Sequence, residues 1–132
     1  MTREVVRQFI DGAINGRDLA VVDKTWADDM TWHGGSMGTY ESKAAFLEFA
    51  AANAGGAWED MHLEIRDTIA SGNQVVLRFT DSGTNVGPFM GNPATGKHAE
   101  WLDTGIYKLR DGRITEGWFA EDILGLVVQL AA

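Results

Sequence analysis

The sequence predicts a single α+β domain in which N-terminal helices close one face of a curved antiparallel sheet, giving a cone with a pocket inside. Three observations point there. Apolar residues recur at helical spacing in the first part of the chain, up to Gly55-Gly56. From Met61 onward they alternate with polar residues, which is the period of half-buried strands. The chain has 132 residues, of which 45% are apolar and 23% charged, enough for one core and too few for two domains. Helices followed by a strand meander is the α+β order, and three helices laid on a curved sheet leave a conical hollow.

The elements follow in turn. Within residues 3–14, Val5, Val6, Phe9, Ile10, Ala13 and Ile14 form one stripe, and Asn15-Gly16 stops that helix. Asp18 caps a second short helix with Leu19, Val22 and Trp26 inside. Asp28 to His33 reads as a short strand ending at Gly34-Gly35. Ser42 caps a third helix, with Phe46, Phe49 and Ala50 inward. Met61, Leu63 and Ile65 alternate with His62, Glu64 and Arg66; Ser71-Gly72-Asn73 turns the chain. Val75, Leu77 and Phe79 begin a second strand, whose period carries Asp81 to the same inner face. Pro88 and Pro93 bracket a loop. Residues 99–109 and 114–121 form a last hairpin, and an apolar tail restarts at Asp122. No repeat, linker or low-complexity tract divides the chain, so residues 1–132 are read as one domain.

Charge and composition narrow the function. Nineteen acids against 11 bases give a net charge of −8 with no basic run, which argues against nucleic acid and anionic membranes as partners. No apolar run nears the roughly 18 residues of a membrane helix, and the charged, amphipathic start is unlike a signal peptide, so a cytoplasmic location is expected. There is no Cys, and the three His residues lack metal-ligand spacing, so no metal is expected. The run 91–97 resembles a phosphate loop, but His98 follows Lys97 and a strand follows instead of a helix. Five Trp suit either a thick core or the wall of a pocket for a flat apolar ligand.

Several fragments in order resemble SnoaL-like proteins. They are Val22-Asp23, Trp26-Ala27-Asp28-Asp29 and Trp32-His33; then Gly87-Pro88-Phe89-Met90-Gly91 with Pro93-Ala94-Thr95-Gly96-Lys97; then Asp111-Gly112-Arg113-Ile114, Glu116, Trp118 and Asp122-Ile123-Leu124-Gly125-Leu126. The resemblance covers nearly the whole chain. It implies the cone of the nuclear-transport-factor-2-like superfamily. Its members include polyketide cyclases that close a ring by aldol condensation without metal or organic cofactor. Relatives serve as hydroxylase components, isomerases, dehydratases and epoxide hydrolases, and others only bind ligands. In the cyclases a His-Trp-Asp run on the last strand supplies the acid–base pair. Aligned here, it falls on Gly117-Trp118-Phe119, so both polar members are missing.

Enolate chemistry needs a base beside a carbonyl and a donor for the developing oxyanion. A three-residue bulged loop at 110–112 sets Asp103 opposite Phe119 and Gly105 opposite Gly117; a two-residue Asp-Gly turn shifts the pairing by one. In the bulged register Trp101, Asp103, Gly105 and Tyr107 share a face with Gly117, Phe119 and Glu121. Asp103 is then the candidate base, with Asp81 or His33 as partner. Two inward acids on neighbouring strands can share a proton or split acid and base roles. They also suit epoxide hydrolysis, although no Arg stands two residues before Asp103. Trp32, Trp101 and Phe119 are candidate walls, Tyr40 a candidate oxyanion donor, and Asp122 either an acid at the mouth or a helix cap. The expected ligand is a hydrophobic small molecule. A homodimer is expected through the sheet's outer face, at Thr80, Glu100, Leu102, Thr104, Ile106 and Trp118.

Overall fold

The computed structural model describes residues 2–52 and 56–132. The chain opens with helix α1 (Thr2–Phe9), which continues as a π-helical turn over Ile10–Asn15. Helix α2 (Val21–Thr25) leads into strand β1 (Trp26–His33), followed by a 3₁₀ turn at Gly35–Met37 and the short strand β2 (Thr39–Tyr40). Helix α3 spans Lys43–Ala52; the expected stop at Gly55 lies outside the described residues. Four long strands follow, β3 (Trp58–Ser71), β4 (Gln74–Asn85), β5 (His98–Arg110) and β6 (Arg113–Glu121), and then helix α4 (Ile123–Ala131). They form one sheet in the order β2-β1-β6-β5-β4-β3.

The α+β architecture holds, with one correction to the sheet. From β6 to β3 it is antiparallel, but β1 joins β6 in parallel, so the whole is mixed. β1 lies between β6 and the short edge strand β2, which it meets antiparallel. Trp26, whose spacing suited α2, instead begins β1, and its ring lies fully buried against Phe9, Phe46 and Tyr107. A helix residue and the first residue of the next strand can point into the same core.

Helices α1 and α3 cover the concave face. The π-turn keeps Ile10 and Ala13 in the core after Val6 and Phe9, and π-turns recur where a helix meets a site. Asn15 does more than end the helix. Its side chain takes the Leu63 N–H at 2.7 Å and gives Nδ2–H to the Leu63 carbonyl at 2.9 Å, clasping β3 like a strand neighbour. Ser42 caps α3 through Ala45 N–H at 3.1 Å, as expected. Asp18 takes the Ala20 N–H at 3.1 Å, a turn just ahead of α2 rather than a cap on it. No helix among the described residues is long and apolar enough to cross a membrane.

The last hairpin departs from both expected registers. Asp111 and Gly112 both have positive φ, 53° and 77°, the signature of a two-residue type I′ turn. A bulge then places two residues of β6 against one step of β5, between Lys108–Glu116 and Leu109–Ile114. Beyond it Asp103 pairs with Glu121, Gly105 with Phe119 and Tyr107 with Gly117. Pairing is therefore two residues from the expected one. A two-residue slip preserves the faces, so the expected inner set still shares one side.

The loop between β4 and β5 is pinned from inside by Asn85. This fully buried residue donates to the Ala57 and Gly87 carbonyls at 3.1 and 3.0 Å, and its Oδ1 accepts from the Thr95 backbone and hydroxyl at 2.8 and 3.1 Å. The pinned loop seats Phe89 against Trp58, ring centres 5.2 Å apart. Asn85→Ala strands these partners and is expected to lower stability by about 2–4 kcal/mol; urea unfolding reads it, and a loss under ~1 kcal/mol would contradict the pinning role.

Candidate active site

The cone encloses a cavity of about 130 Å³, some ten times the roughly 10–15 Å³ that one water requires. Its wall is almost wholly apolar and aromatic. Phe9 and Ile10 come from the first helix, Phe46 and Phe49 from α3, Trp32 from β1, Trp58 from β3, Phe89 from the pinned loop, and Trp101 and Tyr107 from β5. Trp58 and Trp101 lie 5.0 Å apart. Sequence reasoning missed Trp58 and Phe89 as wall residues, although Phe89 sits within the Gly-Pro-Phe loop that the family resemblance picked out.

Phe119 makes the floor of this cavity, and two glycines make room for it. A Cβ at Gly105 would lie 2.9 Å from Phe119 Cδ1 and Cε1, and one at Gly117 2.7 Å from Phe119 Cε2. The ring therefore lies across both glycines. It stacks on Trp32 at 5.1 Å and meets Tyr107 edge-on at 5.2 Å. Gly105, Gly117 and Phe119 thus form one packing unit, a bare backbone under an aromatic plate.

Against this apolar wall stand three carboxyls. Asp81 from β4 and Asp103 from β5 are 3% and 5% exposed, and Glu121 from β6 is half-buried. One oxygen of each lies within 4.8 Å of the others. Asp81 lies between the other two, its side chain within hydrogen-bonding reach of both Asp103 and Glu121. Glu121 Oε1 also accepts the Trp101 indole N–H at 3.0 Å, while Asp103 Oδ1 is buried with no N–H or hydroxyl partner among the described residues. Desolvation pushes Asp103 up to about 11, reinforced by the charges of Glu121 and Asp81. Desolvation likewise holds Asp81 well above the usual range, and raises Glu121 against the indole hydrogen bond. Burial also raises the Tyr107 phenol, with Asp103 and Asp81 adding to the effect.

The remaining candidates fall outside this group. His33 Nε2 lies 2.7 Å from Glu116 Oε2, its ring stacks on Trp118, and it does not line the cavity. It is therefore not brought to Asp103 as a partner. The cause is period: Trp32 faces in, so His33 faces out. Tyr40 donates its hydroxyl to the Met37 carbonyl at 3.1 Å and stacks on Phe49 behind the wall, also outside the lining. Asp122 caps α4, accepting the Gly125 N–H at 2.9 Å. Glu121 shared the predicted inner face but carried no assigned role, because only the true register brings it level with Asp103.

The comparisons with known proteins agree with the fold. A family model described as SnoaL-like polyketide cyclase matches residues 4–130. A candidate SnoaL-like polyketide cyclase from Jannaschia sp. CCS1 superposes with a TM-score of 0.91 at 21% identity, over 99% of this chain and 92% of that one. IdmH from Streptomyces antibioticus, a candidate polyketide cyclase, gives 0.83 at 25% identity over 100% and 99%. AclR from Streptomyces galilaeus, a candidate hydroxylase, gives 0.85 at 25% over 98% and 95%. None of the curated proteins matches the chain.

The raised carboxyls have a consequence for stability. The folded state binds their protons more tightly than the unfolded chain, so their contribution is fully present below the ordinary carboxylate range near pH 4. It declines as pH rises from there towards 11. Asp103→Asn removes one such group. By calorimetry it should raise Tm by about 3–10 °C at pH 7–8, with the gain shrinking towards pH 4. A lower Tm at pH 8 than the parent's would contradict the placement.

Proposed function

The chain belongs to the SnoaL-like polyketide cyclase family, and from that premise we propose that it is a cofactor-independent enzyme moving a proton on a flat, apolar, carbonyl-bearing small molecule. The observation that supports this reading is the set of three carboxyls within 4.8 Å of one another in an aromatic cavity. A protonated carboxyl can donate to a developing oxyanion while an ionised one accepts the proton from carbon. The aromatic walls supply a water-poor site in which both interactions gain strength. Aldol-type ring closure and keto–enol isomerisation both begin with that proton removal. Asp103 and Asp81 are the proposed catalytic pair, joined by Glu121, and Trp32, Trp101 and Phe119 hold the ring system.

Phe119 and Gly117 favour a second reading, a domain that binds such a molecule without transforming it, since the polar pair of the family's cyclases is replaced there by packing. Turnover and binding separate the two. A panel of polyketide-like ketones, enones and epoxides is screened for turnover and, by tryptophan fluorescence, for binding. The catalytic reading expects Asp103→Asn to lower kcat about 10²–10⁴-fold with binding within a few-fold of the parent's. Ligands that bind the parent tightly, with no turnover by any of them, would establish the binding domain instead.

We infer further that two copies pair through the outer face of the sheet. Leu102 is 61% and Trp118 37% exposed there, with Ile106 beside them. Thr80, expected on that contact, is instead buried and accepts the Arg66 Nε–H at 3.1 Å. Light scattering at micromolar concentration should give twice the chain mass, and Trp118→Glu should halve it. A parent that already runs as a monomer would refute the pairing.

A further inference from the structure

The three carboxyls are not equivalent, and the difference lies in what each meets besides the other two. Glu121 Oε1 accepts a full N–H donor, the Trp101 indole, at 3.0 Å. Asp103 Oδ1 meets no N–H or hydroxyl among the described residues, and the Thr104 backbone N–H is the weakest of the influences on its carboxyl. Asp81 stands between them, within hydrogen-bonding reach of both. Among the described residues, Tyr107 on β5 is the other titratable group facing the trio. The covering helices and the pinned loop bring apolar side chains such as Phe9, Ile10, Phe46, Phe49 and Phe89, and no Lys, Arg or His among the described residues lines the cavity. Among the described residues, the Trp101 indole is the side-chain N–H that reaches the trio from outside it. A hydrogen bond to the charged form is the interaction that selects which carboxyl ionises.

We propose that Trp101 is a positioning residue whose indole N–H holds Glu121 as the ionised member of the trio, so that Glu121 takes the substrate's proton, Asp103 supplies one to the substrate's oxygen, and Asp81 passes protons between them. The proposal rests on the acid–base reading above and assigns its roles. In the step, the C–H bond beside the carbonyl breaks and its proton bonds to Glu121. The electron pair moves to the carbonyl oxygen, which takes the proton of Asp103. Asp81 then gives its proton to Asp103 and receives the one on Glu121. The trio returns to its starting charge, and the substrate has become its enol with no atom gained or lost. The indole that fixes the base is also a wall of the cavity, so the substrate's ring and the base share one anchor.

The test needs no substrate. Carboxyl-¹³C-labelled Asp and Glu are followed by NMR across a pH titration of the intact chain, together with the indole ¹H–¹⁵N signals. Glu121 should ionise before Asp81 and Asp103, and the Trp101 indole should shift with the same midpoint. Trp101→Phe keeps an aromatic wall without the donor, and should move the Glu121 midpoint to higher pH. Where turnover is measurable, the acid limb of its pH profile should move likewise, lowering turnover on that limb about tenfold while the plateau is kept. Glu121→Gln keeps an acceptor for the indole and removes the charge, so Asp103 should ionise at lower pH than in the parent. Asp103 or Asp81 ionising first, an indole silent through the Glu121 titration, or a Glu121 midpoint unmoved in Trp101→Phe would each overturn the proposal. If Trp101→Phe does not fold, the parent's order of ionisation and the Glu121→Gln response still decide. Absent turnover on every substrate would defeat the acid–base reading, while the NMR order would separately decide whether Trp101 holds the charge on Glu121.

Discussion

The register of the last hairpin governs everything inside the cone. A type I′ turn at Asp111-Gly112 by itself sets residues summing to 223 opposite one another, as Arg110 and Arg113 are. Carried down the strands, that would put Asp103 opposite Ala120 and turn Phe119 and Glu121 to the outer face. The bulge beside Lys108 inserts one residue into β6, and past it Asp103 stands opposite Glu121. Thr115, the extra residue, ties itself back by donating its hydroxyl to the Lys108 carbonyl at 3.2 Å. A single inserted residue thus decides whether the cavity has a floor and a third acid.

This explains which parts of the site could be read from the chain and which could not. Period alone carries Asp81 and Asp103 inward, because Val75-Leu77-Phe79 and Trp101 precede them on uninterrupted alternations. Glu121 lies beyond a bulge, and bulges leave little trace in a single sequence. The inner face nevertheless came out right, since a turn shorter by one residue and a bulge longer by one preserve parity. Trp58 and Phe89 were hidden for a different reason. Their burial depends on a loop folded over Asn85, a contact between segments ten and more residues apart. Trp26 shows the converse failure, where helical spacing and strand position predict the same burial by different backbones.

Three acids in an apolar cavity are costly, and the rest of the cone is arranged to bear that cost. Buried carboxyls persist when they stay protonated and bond to one another or to a donor. The series from Asp103 through Asp81 to Glu121 does this, ending on the Trp101 indole. The surrounding aromatic shell and the Asn15 and Asn85 clasps supply stability that the site itself withholds.

The packing of Gly117 under Phe119 has a physical reading of its own. A His and an Asp at those positions would add two more polar groups to a cavity that already buries three carboxyls. A glycine and a ring at those positions add no such demand, and the carboxyl on this strand, Glu121, stands beside the Trp101 indole. The ring cannot lie flat unless both Gly105 and Gly117 lack a Cβ, so the three residues form one unit. A side chain added at 117 alone would collide with Phe119, and a small polar one at 119 alone would leave an empty trough over two glycines. The polar centre and the aromatic floor are alternatives for the same space, and this chain has the floor.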